Sequence, residues 1–167
     1  TQDVEDFLNT DFGKAIVIYN SVDSEQFHDT QSMAADQMVF AYFGRIDPRK
    51  GIEVLINAFK LCATQKVLWI IGSGDNQYLN KLKAMAVGYS IQFRPYQSDI
   101  AHLLEQANVV VLPSLYGEGM SRIVLEAMAG SRLILVSDLR SNCEALGELA
   151  DKYSFPVGDA KALGEKM

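Results

Sequence analysis

Two carboxylates, Glu118 and Glu126, stand with seven residues between them in the run Pro-Ser-Leu-Tyr-Gly-Glu-Gly-Met-Ser-Arg-Ile-Val-Leu-Glu-Ala-Met-Ala-Gly, residues 113–130. A carboxylate accepts hydrogen bonds and so reads hydroxyl groups well, whereas phosphate is read by cations and by backbone N–H groups. The run offers both kinds of group. Its acids lie at the two ends, and between them a helix start would leave the N–H groups of Gly119, Met120 and Ser121 without intrahelical partners. On one continuous helix the acids would be about 12 Å apart along the axis, a span that suits a sugar, a diphosphate and a nucleoside in line. Arg122, four residues from each acid, also allows plain pairing on an exposed helix face.

Other loops carry complementary chemistry. Gly44-Arg45-Ile46-Asp47-Pro48-Arg49-Lys50-Gly51 places Arg45 and Lys50 on either side of a proline turn, where two cations can clamp a diphosphate; solvated turn charges are the plain alternative. Gly72-Ser73-Gly74 follows an apolar run, but Gln77 stands where the dinucleotide fingerprint has its third glycine. A nicotinamide or flavin site is therefore weakly supported, tight-turn glycines account for the pattern, and a mononucleotide near that backbone remains allowed. Arg94-Pro95-Tyr96-Gln97 is a short loop in which Arg94 and the backbone can border a base, and turn chemistry explains it nearly as well.

Those loops need a frame that brings them to one edge. Short β-branched or aromatic runs at residues 14–19, 38–43, 66–71, 89–93, 108–112, 132–137 and 152–155 alternate with helical patterns. That order predicts the α/β class, a parallel sheet covered by helices on both faces. Within residues 51–65, Ile52, Leu55, Ile56, Phe59 and Leu61 form an apolar face opposite Glu53, Asn57, Lys60 and Thr64. Ser98-Asp99 can cap a helix bearing Ile100, Leu103, Leu104 and Ala107, and residues 24–37 read as a polar surface loop. In a parallel sheet the loops that follow the strands emerge on one edge and can share a ligand.

With 167 residues and 49% apolar side chains, the chain can bury one core, so residues 1–167 form one domain, with 1–13 as a segment leading into it. A net charge of −6 without a Lys/Arg-rich run excludes a nucleic-acid surface. No apolar stretch approaches the roughly 20 residues of a membrane span, and no leader pattern is present. Cys62 and Cys143 lie in apolar helical patterns and read as buried thiols in a reducing compartment. His28 and His102 lack partners at metal-ligand spacing, and no Asp-x-Asp occurs, so no bound metal or other cofactor is expected. The chain ends inside a helical pattern, which suggests a piece of a longer protein.

Taken in order, Asn20-Ser21-Val22-Asp23 with Phe27, Gly44-Arg45 with Lys50-Gly51, Gly72-Ser73-Gly74, and Glu118-Gly119 through Glu126-Ala127-Met128-Ala129 resemble glycosyltransferase family 4, retaining enzymes of the two-domain GT-B fold. Each piece is common alone; the four together on an alternating α/β frame are not. The resemblance implies a Rossmann-like doubly wound parallel sheet of six to seven strands, one half of a GT-B fold. It implies the carboxyl-terminal, donor-binding half, with an acceptor-binding amino-terminal half that this sequence does not include, so that the fragment alone should not turn over. A nucleotide-diphosphate sugar, UDP-linked by family-level expectation, would be the donor, and a polysaccharide or lipid-linked oligosaccharide of surface assembly, such as O-antigen or capsule, the acceptor.

By the same resemblance Arg45 and Lys50 would stabilise the departing diphosphate without a metal. Glu118 would hold the transferred sugar and Glu126 the ribose hydroxyls. Gly44, Gly72, Gly74, Arg94, Gly119, Met120 and Ser121 would complete the donor site. A lipid-borne acceptor would bring the otherwise cytoplasmic enzyme to the inner membrane face. Ser21 stands where the family has glycine, Gly130-Ser131-Arg132-Leu133 shifts a glycine and loses a proline, and Arg140-Ser141 replaces two glycines; no role is assigned to Arg140 or Glu144. A non-catalytic nucleotide-sugar-binding module is the alternative function, and a nicotinamide-dependent oxidoreductase is a third, disfavoured by Gln77.

Overall fold

The computed structural model describes residues 18–27, 37–62 and 66–167. From Gln37 onward the chain alternates strand and helix: β1 (Met38–Phe43), a 3-10 turn at Pro48–Lys50, α1 (Ile52–Lys60), β2 (Lys66–Ile71), α2 (Asn76–Met85), β3 (Ile91–Arg94), α3 (Ile100–Gln106) and β4 (Val109–Leu112). It continues through α4 (Arg122–Ala129), β5 (Leu133–Ser137), α5 (Arg140–Leu146), a 3-10 turn at Gly147–Leu149, α6 (Ala150–Tyr153), β6 (Ser154–Phe155) and α7 (Ala160–Lys166). The six strands pair in parallel in the order β3-β2-β1-β4-β5-β6.

Alternation within each strand feeds two cores. Phe40, Tyr42, Leu68, Ile70, Val109 and Val111 meet Ile52, Leu55, Ile56 and Phe59 of α1, Leu82 of α2 and Leu163 of α7. Ala41, Phe43, Trp69, Ile71, Val110 and Leu112 face the other way, onto Leu103 and Leu104 of α3, Ile123 and Val124 of α4 and Leu146 of α5. With both faces buried, the central strands read as continuous apolar runs, as parallel sheets require. The sheet is thus doubly wound, as the sequence implies. Its strand order reverses between β1 and β4, and at that switch point the loops after the two strands run apart and leave a crevice outside their carboxyl ends.

Several boundaries differ from the sequence reading. Tyr89 and Ser90 precede β3 because the chain is still turning there, with Tyr89 N–H bonded to the Ala86 carbonyl at 3.1 Å. Lys152 and Tyr153 close α6 and leave only Ser154–Phe155 to pair with β5. Ser131 takes a left-handed φ of 54° after α4, and Arg132, whose Nε donates to the Gly130 carbonyl at 2.8 Å, is buried before β5 begins. Leu61 caps α1 and is 63% exposed, so it does not belong to the apolar face. Ile18 and Tyr19 are not in a strand; residues 14–17 of that expected strand, His28 and residues 28–36 and 63–65 lie outside the described residues.

Candidate functional site

The crevice at the switch point is a cavity of about 730 Å³. Its walls are the β1–α1 loop with Gly44, Arg45, Arg49 and Lys50, the start of α4 with Ser121, Arg122 and Glu126, residues 96–101 at the start of α3, and part of segment 21–27. Arg45, Lys50, Gly44, Ser121 and Glu126, far apart in sequence, therefore share one surface.

The β1–α1 loop is shaped from within. The buried Tyr42 hydroxyl donates to the Arg45 carbonyl at 2.6 Å. Asp47 caps the 3-10 turn, accepting from Arg49 N–H at 2.9 Å and from Arg49 Nε at 3.0 Å. These bonds hold the Asp47 carboxyl below the usual range and push the Arg49 guanidinium up. Burial, with Glu118 and Asp47 nearby, raises the Tyr42 phenol, so it stays a neutral donor. Gly51 has φ 65°, and a Cβ there would come within 1.9 Å of the Pro113 carbonyl oxygen; Leu115 N–H donates to the Arg49 carbonyl at 2.8 Å. The two loops flanking the crevice are thereby stitched together. Among the described residues Arg45 has no ion-pair partner, whereas Arg49 pairs with Asp47, Lys50 with Glu118 and Arg122 with Glu126.

The β4–α4 loop departs from the expected continuous helix. Helix α4 starts at Arg122, so Glu118 lies in the loop and Gly119, Met120 and Ser121 precede the first turn. Glycines on both sides of Glu118 disfavour helix there. The separation along a helix axis does not apply, and the first-turn N–H groups without an acceptor among the described residues are those of Arg122 and Ile123, Val124 N–H donating to the Ser121 carbonyl at 3.1 Å. Ser121 forms no side-chain cap, unlike Asp75 of α2 and Asp99 of α3, which accept from Tyr78 and His102 N–H at 2.9 and 3.0 Å. The α4 amides that open on the crevice therefore lack an internal acceptor among the described side chains.

Glu126 is only 9% exposed and lines the cavity, held by Arg122 at 3.1 Å. Glu118 is not itself a lining residue; its nearly buried side chain accepts from Lys50 Nζ, whose residue does line the cavity, and from the Ser114 hydroxyl. The loop backbone is fixed by Ser141, which donates to the Glu118 carbonyl at 3.0 Å, and by Asn20, which donates to the Met120 carbonyl at 2.7 Å. Gly119 faces open space, with nothing within 4 Å of a Cβ placed on it.

Six expected residues are not on the cavity wall: Glu118, Gly119 and Met120 of the β4–α4 loop, and Gly72, Gly74 and Arg94. A Cβ on Gly72 would meet the Gly44 carbonyl oxygen at 1.8 Å, and one on Gly74 the Ile46 carbonyl oxygen at 1.9 Å. Both glycines let the strand extensions touch, through Gly44 N–H to Ile71 O at 3.0 Å and Ile46 N–H to Ser73 O at 2.8 Å. The Arg94 guanidinium stacks on the Trp69 ring, 3.5 Å from its centroid, and donates to Gln92 Oε1 at 2.8 Å; burial lowers its pKa. The neighbouring Tyr96 and Gln97 do line the cavity.

Sequence reasoning passed over some of the wall and what lies behind it. Asp99 reads as a cap, which it is, but no local pattern shows that its loop borders the crevice. Ser114 and Ser137 lie at the ends of apolar runs and Asn142 in the polar stretch Arg140-Ser141-Asn142-Cys143-Glu144, and only the fold shows that all three are fully buried polar side chains. Among the described residues no three His, Cys, Asp or Glu side chains gather into a metal-binding group, and no helix is long and apolar enough to cross a membrane.

A doubly wound sheet with cations and a bare helix start at its switch point defines a Rossmann-like domain whose crevice carries groups of the kind that suit an anion. Residues 23–167 match the family described as glycosyl transferases group 1, and the chain belongs to that family. The phosphatidyl-myo-inositol mannosyltransferase of Mycolicibacterium smegmatis is 30% identical over 162 residues, which cover 92% of this chain and 42% of the relative. The putative glycosyltransferase YtcC of Bacillus subtilis is 29% identical over 147 residues, or 77% of this chain and 36% of the relative. The chain thus spans less than half the length of these two relatives. In fold, it matches the crystal structure of Anabaena Alr3699/HepE in complex with UDP and glucose with a TM-score of 0.87, at 20% identity, over 98% of this chain and 49% of that one. The six-stranded sheet is that of the Rossmann-like domains of GT-B glycosyltransferases.

Proposed function

We propose that this chain is the donor-binding, carboxyl-terminal half of a retaining glycosyltransferase of the family 4 type, which moves a sugar from a nucleoside diphosphate sugar to a polysaccharide or lipid-linked oligosaccharide acceptor. The observation that carries the reading is the convergence of Arg45, Lys50, the uncapped start of α4 and the buried Glu126 on one cavity at the switch point. Arg45, which makes no ion pair among the described residues, is the first hook for the diphosphate, and the α4 amides add a fixed dipole. Glu126, oriented by Arg122, accepts from the ribose hydroxyls; Glu118, next to Lys50, accepts from the sugar. Stabilising charge on the departing diphosphate is the catalytic contribution of Arg45 and Lys50, with no metal required. Gly44, Gly119, Met120 and Ser121 supply backbone around the phosphates, while Gly72, Gly74 and Arg94 support the loops from behind.

The UDP donor is favoured by the UDP in the HepE complex, and a lipid-borne acceptor by the phosphatidyl-myo-inositol of the mycobacterial relative. Such an acceptor would place the whole enzyme at the inner face of the cytoplasmic membrane. The test is sugar transfer by the enzyme with its acceptor-binding half, using labelled nucleotide sugars and an extracted lipid-linked acceptor. Transfer abolished by Arg45→Ala supports the proposal; tight nucleotide-sugar binding without transfer would instead favour a non-catalytic binding module.

A further inference from the structure

A chain of buried polar side chains runs from α5 to the loop that carries Glu118. Asn142 Nδ2 donates to the Ser137 carbonyl at 3.0 Å and to the Ser137 hydroxyl oxygen at 3.3 Å. The Ser137 hydroxyl donates to the Ser114 carbonyl at 2.6 Å, and the Ser114 hydroxyl donates to Glu118 Oε1 at 2.5 Å. Ser114, Ser137 and Asn142 are all 0% exposed, and the Glu118 side chain is 8% exposed. Lys50 donates to the same Oε1, so among the described residues two donors crowd one oxygen of Glu118 while Oε2 accepts nothing. Burying three polar side chains is costly unless their hydrogen bonds are made; Asn142 Oδ1 finds no partner among the described residues, while the bonds that are made hold Ser137, Ser114 and Glu118 in one arrangement. A merely structural fastening of β5 to the loop is already complete at the Ser114 carbonyl. The Ser114 hydroxyl adds nothing to it and is spent on Glu118 alone.

We infer that Ser114, backed by Ser137 and Asn142, is a positioning residue that sets the Glu118 carboxylate so that Oε2 stays open for a hydroxyl of the donor's sugar. This rests on the donor-binding reading above. Removing the hydroxyl leaves the Ser137 bond to the Ser114 carbonyl in place and frees Glu118 to swing toward Lys50. Ser114 thus tunes the preference for a nucleotide sugar over the bare nucleoside diphosphate, and leaves the diphosphate hold itself to Arg45.

The test is calorimetric titration of the chain with UDP-glucose, UDP-galactose, UDP-N-acetylglucosamine and GDP-mannose, and with UDP and GDP. The readout is the affinity ratio of the tightest sugar ligand to its own diphosphate. Ser114→Ala should lower that ratio about tenfold, the size expected of one lost hydrogen bond to a charged group, with the diphosphate affinity held within about twofold. In a Glu118→Ala background Ser114→Ala should change the ratio no further, because the hydroxyl's only partner is gone. Ser114→Cys, which keeps the volume but donates weakly, should repeat the loss and serves if the alanine variant misfolds. An unchanged ratio, equal weakening of both ligands, or a full Ser114→Ala effect without Glu118 overturns the inference. Absence of any nucleotide binding by the unaltered chain sinks the donor-binding reading itself, a separate and distinguishable failure.

Discussion

The loops after β1 and β2 leave the same edge of the sheet, side by side, and each carries glycines, yet they are built for different ends. In the β2 loop Gly72 and Gly74 are consumed by contact with the Gly44 and Ile46 carbonyls, so their lack of a side chain serves backbone packing. In the β1 loop the cations Arg45 and Lys50 reach the cavity wall, and the bridge between Ile46 and Gly74 braces them from behind. A glycine pair after a buried strand is thus ambiguous by itself. What separates a ligand loop from a supporting one is whether the strand order reverses beside it, which happens at β1 and β4 and not at β2.

Substitutions can break this contrast. The largest effect expected is on stability: Gly74→Ala forces a Cβ to within 1.9 Å of a backbone oxygen and should cost about 3 kcal/mol in urea unfolding. Gly119→Ala, in open space, should stay within about 1 kcal/mol of wild type, the usual cost of exchanging the two residues outside special conformations. Next, Arg45→Ala should weaken nucleoside diphosphate binding by about 2 kcal/mol, or roughly thirtyfold. Its unfolding midpoint should move little, since Arg45 makes no ion pair among the described residues and Asp47, which its charge also favours, is held chiefly by Arg49. Lys50→Ala is a less clean probe, because it also strips the cation from the nearly buried Glu118 and should lower stability as well. A smaller contrast concerns helix starts: Asp75→Ala removes a cap and should cost about 1 kcal/mol, while Ser121→Ala, which loses no cap bond, should cost less than about half of that. Smallest of all, Ser131→Gly relieves the left-handed backbone after α4 and should raise stability by about 0.5 kcal/mol.

Much of this was legible in the residues. Strands 38–43 and 66–71 were read to the residue, since central parallel strands are long unbroken apolar runs. The cations, Glu126 and the Asp99 cap were legible as well, each being a residue type with an immediate local consequence. Strand ends were not, because Tyr89, Arg132 and Lys152 are set by tertiary turns that apolar periodicity does not record. Nor was the break before α4: the Glu118-to-Glu126 spacing fits one helix, yet Glu118 ends up outside it, on Lys50 and Ser114. The buried serines and Asn142 were invisible for the same reason; small polar residues look like turn or surface residues until packing shows where their hydrogen bonds go.

The most direct test of the central claim, that the switch-point crevice holds a nucleoside diphosphate, is isothermal titration of UDP, GDP, ADP and CMP into the unaltered chain and into Arg45→Ala and Glu126→Ala. Saturable binding of a diphosphate nucleotide, weakened in both variants with their folds intact, is the predicted result. Absence of binding at millimolar nucleotide, or binding that neither substitution disturbs, would contradict it.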